Sequence, residues 1–360
     1  MPHDITGKGG PLAAGLSSST ARHYDRMQRM RLLIVAVLAV ATVAAFLTDL
    51  TTGPSGMSVA ELLRTLLNPH EASPAVSVIV WQLRLPQSLM ALLVGCALGL
   101  AGAQMQTILG NPLADPFTLG VSSASAFGAS LAIVLGLTIP AIPDGWAISA
   151  NAFLFAFAAM IALQFLARAR GGGAETLALF GVALSFTFSA LLALVQFLAS
   201  ADALQQLVFW TMGSLTRANW NTVLALACVV AVVLPLSLAN AWKMTVLRLG
   251  EERAATLGVN VRRLRYVTLF YVCLLSATAV SFVGIVGFVG LTAPHIARML
   301  TGEDHRFFLP ASALVGMAVM AFASAAGKSL APGVVIPIGI VTALIGLPIF
   351  FALLMRRGRE

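Results

Sequence analysis

The densest concentration of chemistry-capable side chains runs from Lys243 to Tyr266, KMTVLRLGEERAATLGVNVRRLRY. Its 24 residues hold six Lys or Arg and two Glu, in a chain only 10% charged. A charged side chain at mid-bilayer costs roughly 3 kcal/mol on insertion scales, so this stretch belongs in water. Its pattern is that of a docking element. Leu249–Leu257 reads as a short helix with Glu251 and Glu252 in its first turn, where carboxylates suit the positive end of the dipole. Gly258 then falls just past the helix end, and Asn260 is placed to cap the helix that follows. A helix of that length, about 14 Å, hardly persists alone in water, so a partner surface is expected to cover it.

The other groups that could do chemistry carry less. Gly327-Lys328-Ser329 resembles the end of a G-x-x-x-x-G-K-[ST] phosphate loop, but Phe322 stands at the first glycine position. The segment also closes an apolar helix instead of linking a strand to a helix, so no nucleotide site is read there. Cys96, Cys228 and Cys273 lie in apolar runs without metal-ligand spacing and imply neither metal nor disulfide. There is no HExxH, no paired carboxylate within an apolar run and no Ser/His/Asp set, so no catalytic residue, cofactor or metal site is assigned. Gln104 and Gln106 close one apolar run and either line a path or satisfy neighbouring backbone. Gly95-x-x-x-Gly99 with Gly102 fits close helix packing, foremost within one subunit, with a dimer seam as the alternative.

These groups must be positioned by membrane helices. The chain is 59% hydrophobic with mean hydropathy +0.91, which marks an all-α polytopic membrane protein. Nine apolar stretches stand out, at roughly 32–50, 86–109, 117–139, 146–167, 176–199, 220–239, 266–287, 307–327 and 333–354. Both termini are basic, so both are expected in the cytoplasm, which requires an even number of crossings. The apolar run from Tyr266 to Leu300 supplies a tenth. It reads as a helix to about Val286, a bend at Gly284, Gly287 and Gly290, and a short returning helix ending at Arg298. Ten crossings place all but four of the 22 Lys and Arg on the cytoplasmic side, the exceptions being Arg64, Arg84, Arg217 and Lys328. Residues 1–29, polar and rich in Gly and Ser, read as a disordered cytoplasmic tail. Residues 30–355 are expected to form one transmembrane domain, with cytoplasmic helices at about 246–265, and residues 356–360 a basic cytoplasmic tail. No small-x-small site follows Leu32–Leu47, so that run is taken as an uncleaved first span. Val59–Leu67 and Ala201–Leu215 read as outer-surface connections, the second with Trp210 as an interface anchor. The spans are almost free of ionisable side chains, which disfavours a self-powered secondary carrier.

Several segments resemble the permease subunits of ABC importers for iron-siderophores, haem and vitamin B12, the FecCD type. They are WQLRLPQSL (81–89), LAGAQMQTILGNPLADPFTLGVSSASAFGA (100–129), LGEERAATLGVNVRRLR (249–265), VGFVGLTAPHIARML (286–300), EDHRFFLP (303–310) and PIGIVTALIGLPIFFALL (337–354). The likeness covers about Trp81 to Leu354, with the motifs in order. It implies the ABC importer permease fold of ten crossings, in a multi-pass subunit of the bacterial cytoplasmic (inner) membrane. The implied partners are a second permease subunit, identical or related, two cytoplasmic ATPases that hold ATP and Mg, and a substrate-binding protein on the outer face. It implies that Leu249, Gly250, Glu251, Arg253, Ala254, Leu257 and Gly258 fit the ATPase. Gly171, Gly172, Gly173, Glu175 and Thr176 fall at the family's cytoplasmic gate. Arg84 and Lys328 fall where the outer docking charges are expected. Gln87 stands in place of a further Arg there, Ser324 in place of a usual Asp and Val335 in place of a usual Glu. The expected function is uptake of an iron chelate, foremost a ferric siderophore. Vitamin B12 or haem transport stands as the alternative within the family, and a stand-alone carrier or channel outside it. For Asn111-Pro112 and Asp115-Pro116 a rigid turn is preferred to a substrate role.

Overall fold

The computed structural model describes residues 11–53, 57–69, 72–140, 142–170, 173–330 and 334–357. Among them the ordered elements are helices: α1 (Pro11–Thr51), α2 (Val59–Leu67), α3 (Pro74–Val78), α4 (Leu85–Ile108), α5 (Val121–Leu135), α6 (Asp144–Ala169), α7 (Ala174–Phe197) and α8 (Ala201–Thr211). They continue with α9 (Trp220–Ala239), α10 (Ala241–Leu247), α11 (Glu251–Thr256), α12 (Val261–Val283), α13 (Val289–Thr301), α14 (His305–Ser329) and α15 (Ile338–Arg357). Seven helical stretches are long and apolar enough to cross a membrane. The shorter α5 and α15 are also apolar, and α13, the 13-residue helix after the bend, stands where charge parity expects the tenth crossing.

The centre of the bundle is α4, whose apolar window is the most buried of the seven at 83%. It continues from α3 through a π-helical stretch, Ile79–Arg84, where Leu85 N–H reaches Val80 O. The widened turn lies just before Pro86, which has no N–H to give the preceding turn. The helix is buried on all sides because its glycines admit neighbouring backbones. A Cβ on Gly95 would lie 2.2 Å from Gly316 O of α14, one on Gly99 2.4 Å from Ser312 O, and one on Gly102 1.8 Å from Gly290 O of α13. The Gly95–Gly99–Gly102 face is therefore packing within one chain, not a dimer seam.

The long run after Tyr266 breaks as its glycines imply. Helix α12 stops at Val283, and residues 284–288 are not helical before α13 begins. Exposed polar backbone is not tolerated in lipid. Here it is covered by two other non-helical segments: Ser214 N–H donates to Val283 O (2.6 Å), Ile338 N–H to Gly213 O (3.0 Å) and Gly339 N–H to Met212 O (3.1 Å).

Three expectations are corrected. Helix α1 begins at Pro11, so residues 11–29 are helix where an unstructured tail was expected; residues 1–10 lie outside the described residues. Propagation from an established span avoids the nucleation cost. The extension is also tied down: the Arg306 guanidinium donates to Tyr24 Oη (3.1 Å) and Arg31 lies 3.5 Å from Asp304. At the other terminus α15 runs to Arg357, so the basic tail begins inside a helix. Trp210 is buried beside Val280 and Ala126, with the Arg217 guanidinium over its ring, and is not an exposed anchor. Helix α2 does lie on the bundle as an amphipathic cover, with Leu62 buried against Leu50 and Val80.

A methyl group on Gly102 has no space without separating α4 from α13, and overpacking of this kind costs about 1–3 kcal/mol or more. Gly102→Ala is expected to lower the thermal unfolding temperature of the purified chain in detergent. Gly145→Ala, whose Cβ meets nothing within 4 Å, is expected to leave it unchanged.

Candidate functional site

The charged segment forms two short helices at one end of the bundle. Helix α10 follows α9 after Asn240. Helix α11 covers Glu251–Thr256, shorter than the expected Leu249–Leu257 because Gly250, at φ 104°, separates it from the preceding turn. At its far end Gly258 adopts φ 82°. Gly258 N–H donates to Ala255 O and Val259 N–H to Ala254 O, each at 3.0 Å, which is a Schellman closure. Ala254 and Val259 are the buried feet of this structure. Asn260 then caps α12 by accepting from Arg263 N–H at 2.9 Å. Leu249 and Leu257, on either side of α11, are each 54% exposed, and Glu251, Glu252 and Arg253 are exposed between them. The segment thus offers two apolar side chains and a charged helix outward, on feet fixed in the bundle.

Its connections inward are polar. Arg265 is buried; its guanidinium pairs with Glu251 at 2.6 Å, and its Nε donates to Ile108 O at the end of α4. Arg248 of the α10–α11 turn pairs with Glu303, which also lies 3.6 Å from Arg298 Nε. Arg298 in turn donates to Gln106 Oε1 at 3.0 Å. The buried His305 ring places its nitrogens 2.8 Å from Thr107 Oγ1 of α4 and 3.3 Å from Thr245 Oγ1 of α10. Movement of α10 and α11 is therefore tied to α4, α13 and α14 through fixed, directional contacts. The sequence motif EDHRFFLP contains Glu303 and His305, but nothing in its spacing assigns their partners, which come from three other helices.

Gln104 and Gln106 are fully buried within the chain and do not line a path. Gln104 donates to Ser237 Oγ of α9 (2.7 Å) and Gln106 to Leu291 O of α13 (3.4 Å). Gly171 and Gly172 lie outside the described residues. Gly173 is the N-terminal cap of α7, and Glu175 and Thr176 are in its first turn. A cleft of about 340 Å³ brings Ala174 together with Gly250, Glu251, Arg265 and the end of α4, so the expected gate loop ends beside α10 and α11. Asp115 accepts from Phe117 N–H (2.9 Å) and closes a capping box with Thr118, the structural role preferred for that turn.

Arg84 and Lys328 are not free outer charges, and the expectation of a docking rim at these two residues is corrected. Arg84 is buried and donates to the carbonyls of Leu50 and Thr51 at the end of α1. Lys328 is 5% exposed and pairs at 2.8 Å with the fully buried Asp49. Both join the C-terminal end of α1 to its neighbours, because unsatisfied helix-end carbonyls and a buried carboxylate must find donors. The same pair shows that Gly327-Lys328-Ser329 is no phosphate loop: all three residues are helical and the ammonium is committed.

A bundle of apolar helices with a fixed pair of short charged helices at one end is the architecture of a membrane permease subunit. The comparisons agree. The model of the FecCD transport family matches residues 28–356. The chain belongs to the FecCD transport family and is a permease subunit of an ABC importer. It is 34% identical over 315 residues to the hemin transport system permease protein of Yersinia pestis, covering 87% of this chain and 94% of that one. It is 38% identical over 309 residues to the Fe(3+) dicitrate transport system permease protein of Escherichia coli, covering 84% and 90%. Other relatives are named for vitamin B12 and for molybdate import. Among solved structures, an inward-facing ABC transporter assigned to the metal-chelate type superimposes with TM-score 0.79 at 34% identity, over 90% of this chain and 99% of that one.

Two outcomes test these assignments. Lys328→Met leaves Asp49 buried and unpaired, which is expected to destabilise the chain by about 3–5 kcal/mol; the double change with Asp49→Asn should recover most of that in thermal unfolding. Gly258→Pro cannot adopt the positive φ of the Schellman closure. It is expected to leave membrane insertion intact while abolishing stimulation of the partner ATPase; unchanged stimulation would remove the segment's coupling role.

Proposed function

We propose that this subunit carries an iron chelate, foremost a ferric siderophore, inward across the cytoplasmic membrane, powered by a pair of ATPases that dock on α10 and α11. Both termini and the α10–α11 end then face the cytoplasm, as the distribution of Lys and Arg requires. The observation that carries this reading is the mounting of α11: exposed Leu249 and Leu257 outside, buried Ala254 and Val259 beneath, and Arg265 joining Glu251 to α4. Exposed leucines framing a charged helix at the wet end of a membrane protein mark a protein-docking surface.

In the mechanism, ATP and Mg reside in the ATPases. Their closure pushes α11, and the Arg265, Arg248 and His305 contacts carry the displacement to α4, α13 and α14. Loaded binding protein on the outer face favours the outward-open arrangement. Each partner acts only through its difference in affinity for the two arrangements. A second permease subunit, identical or related, completes the path. In support, α7 buries only 11% of its apolar window within this chain, leaving the rest for lipid or a neighbour. Relatives named for hemin and for Fe(3+) dicitrate support an iron chelate, while relatives named for cobalamin and for molybdate match at similar identity, so the substrate is decided by transport.

Proteoliposomes holding the assembled transporter, its ATPase and its binding protein are the direct test. Uptake of a radiolabelled ferric siderophore is expected to require ATP inside and binding protein outside. Transport by this chain alone, without ATPase, would instead make it a carrier or channel. Uptake of haem, cobalamin or molybdate in preference to the siderophore would move the substrate and leave the permease assignment standing.

A further inference from the structure

A cavity of about 480 Å³ opens on the flank of the coupling segment, between the end of α9, the start of α10 and the first turns of α12. Its rim carries Lys243 and Arg263, both exposed, and its lining contains no Asp or Glu. Lys243 Nζ donates to Asn240 Oδ1 at 3.1 Å, which holds the ammonium at the rim. Arg248, Arg265, Arg298 and Arg306 each pair with a carboxylate; among the described residues Lys243, Arg253, Arg262 and Arg263 do not, and of these only Lys243 and Arg263 line the cavity. Asn260, the cap of the 23-residue α12, also lines the cavity and brings the positive end of that helix to it.

The remaining wall is of another kind. Arg263, Val267 and Tyr271 recur at helical spacing, so the groove climbs α12 from the charged end into the apolar span. Trp242, 57% exposed, adds an indole to the lining, a side chain enriched where protein meets the membrane interface. Two unpaired cations and a helix N-terminus above an apolar, aromatic groove match one molecule in form: a phosphate headgroup with acyl chains attached. A soluble anion would have no use for the groove, and an apolar ligand none for the cations.

We propose that this groove binds an anionic phospholipid, its phosphate between Lys243 and Arg263 and its chains along Val267 and Tyr271. The site adjoins α10, so an occupied groove would brace the coupling segment from the lipid side. Lipid binding rests on membrane embedding and not on the substrate carried; the bracing role rests on the ATPase docking proposed for the same segment, whose Gly258 and Val259 also line the cavity.

The assembled transporter in nanodiscs, labelled with photoactivatable phosphatidylglycerol, tests it. Adducts are expected within Trp242–Tyr271 and should be undiminished by excess inorganic phosphate. They should fall about tenfold or more in the Lys243→Gln, Arg263→Gln double variant and persist in Lys243→Arg, Arg263→Lys. Equal labelling by the matching phosphatidylcholine probe would overturn the proposal. So would labelling unaffected by loss of both charges, or labelling that appears only when the ATPase is stripped away, which would give the groove to that partner. Should the double variant fail to assemble, competition between the two lipid probes on the unaltered transporter decides the same question.

Discussion

Backbone meets backbone along α4, and the rest of the bundle depends on it. At Gly95, Gly99 and Gly102 the helix lies against Gly316, Ser312 and Gly290 with no side chain between. In lipid there is no hydrophobic gain from hiding one apolar helix behind another, so association rests on van der Waals contact and interhelical hydrogen bonds. Glycine faces supply the first over a large area. They also draw the polar side chains of α4 within reach of partners: Gln104 reaches Ser237 of α9, Gln106 reaches α13, and Thr107 reaches His305 of α14.

That close approach bears on the coupling proposed for α10 and α11. A short helix such as α11 transmits displacement only if it is stiff and if its attachments are directional. The Schellman closure at Gly258 supplies stiffness, and the Arg265, Arg248 and His305 contacts supply direction. Because α4, α13 and α14 are locked together by their glycines, a load delivered to any of these contacts is shared by the three. The far end of the bundle is locked too, through Asp49, Lys328 and Arg84. Helices α1 and α7 each bury only 11% of their apolar window within the chain, and of the two α1 is held by these ties at its C-terminal end.

Much of this was legible in the sequence, for identifiable reasons. Hydrophobic run length is a local property, and so is charge asymmetry, which made the crossing count recoverable from parity. The glycines in 284–290 announced a break because a long apolar run cannot continue through lipid as one helix. Caps and helix ends around Gly258 and Asn260 follow from side-chain chemistry within a few residues. Burial and pairing across helices do not. Arg84 and Lys328 looked like rim charges because their positions suggested the outer surface, and Gln104 and Gln106 looked like candidates for a path; each turned inward to a partner remote in sequence.

The sequence by itself determined that this chain is a polytopic helical membrane protein of about ten crossings and that its charged loop lies outside the apolar spans. Those are consequences of transfer free energies and of short-range backbone geometry, which neighbouring residues settle. Only the tertiary structure decided which polar side chains are buried and which other helices supply their partners. A buried Lys, Arg or Gln is satisfied by donors and acceptors brought to it from other helices, and their approach is set by the packing of the whole bundle.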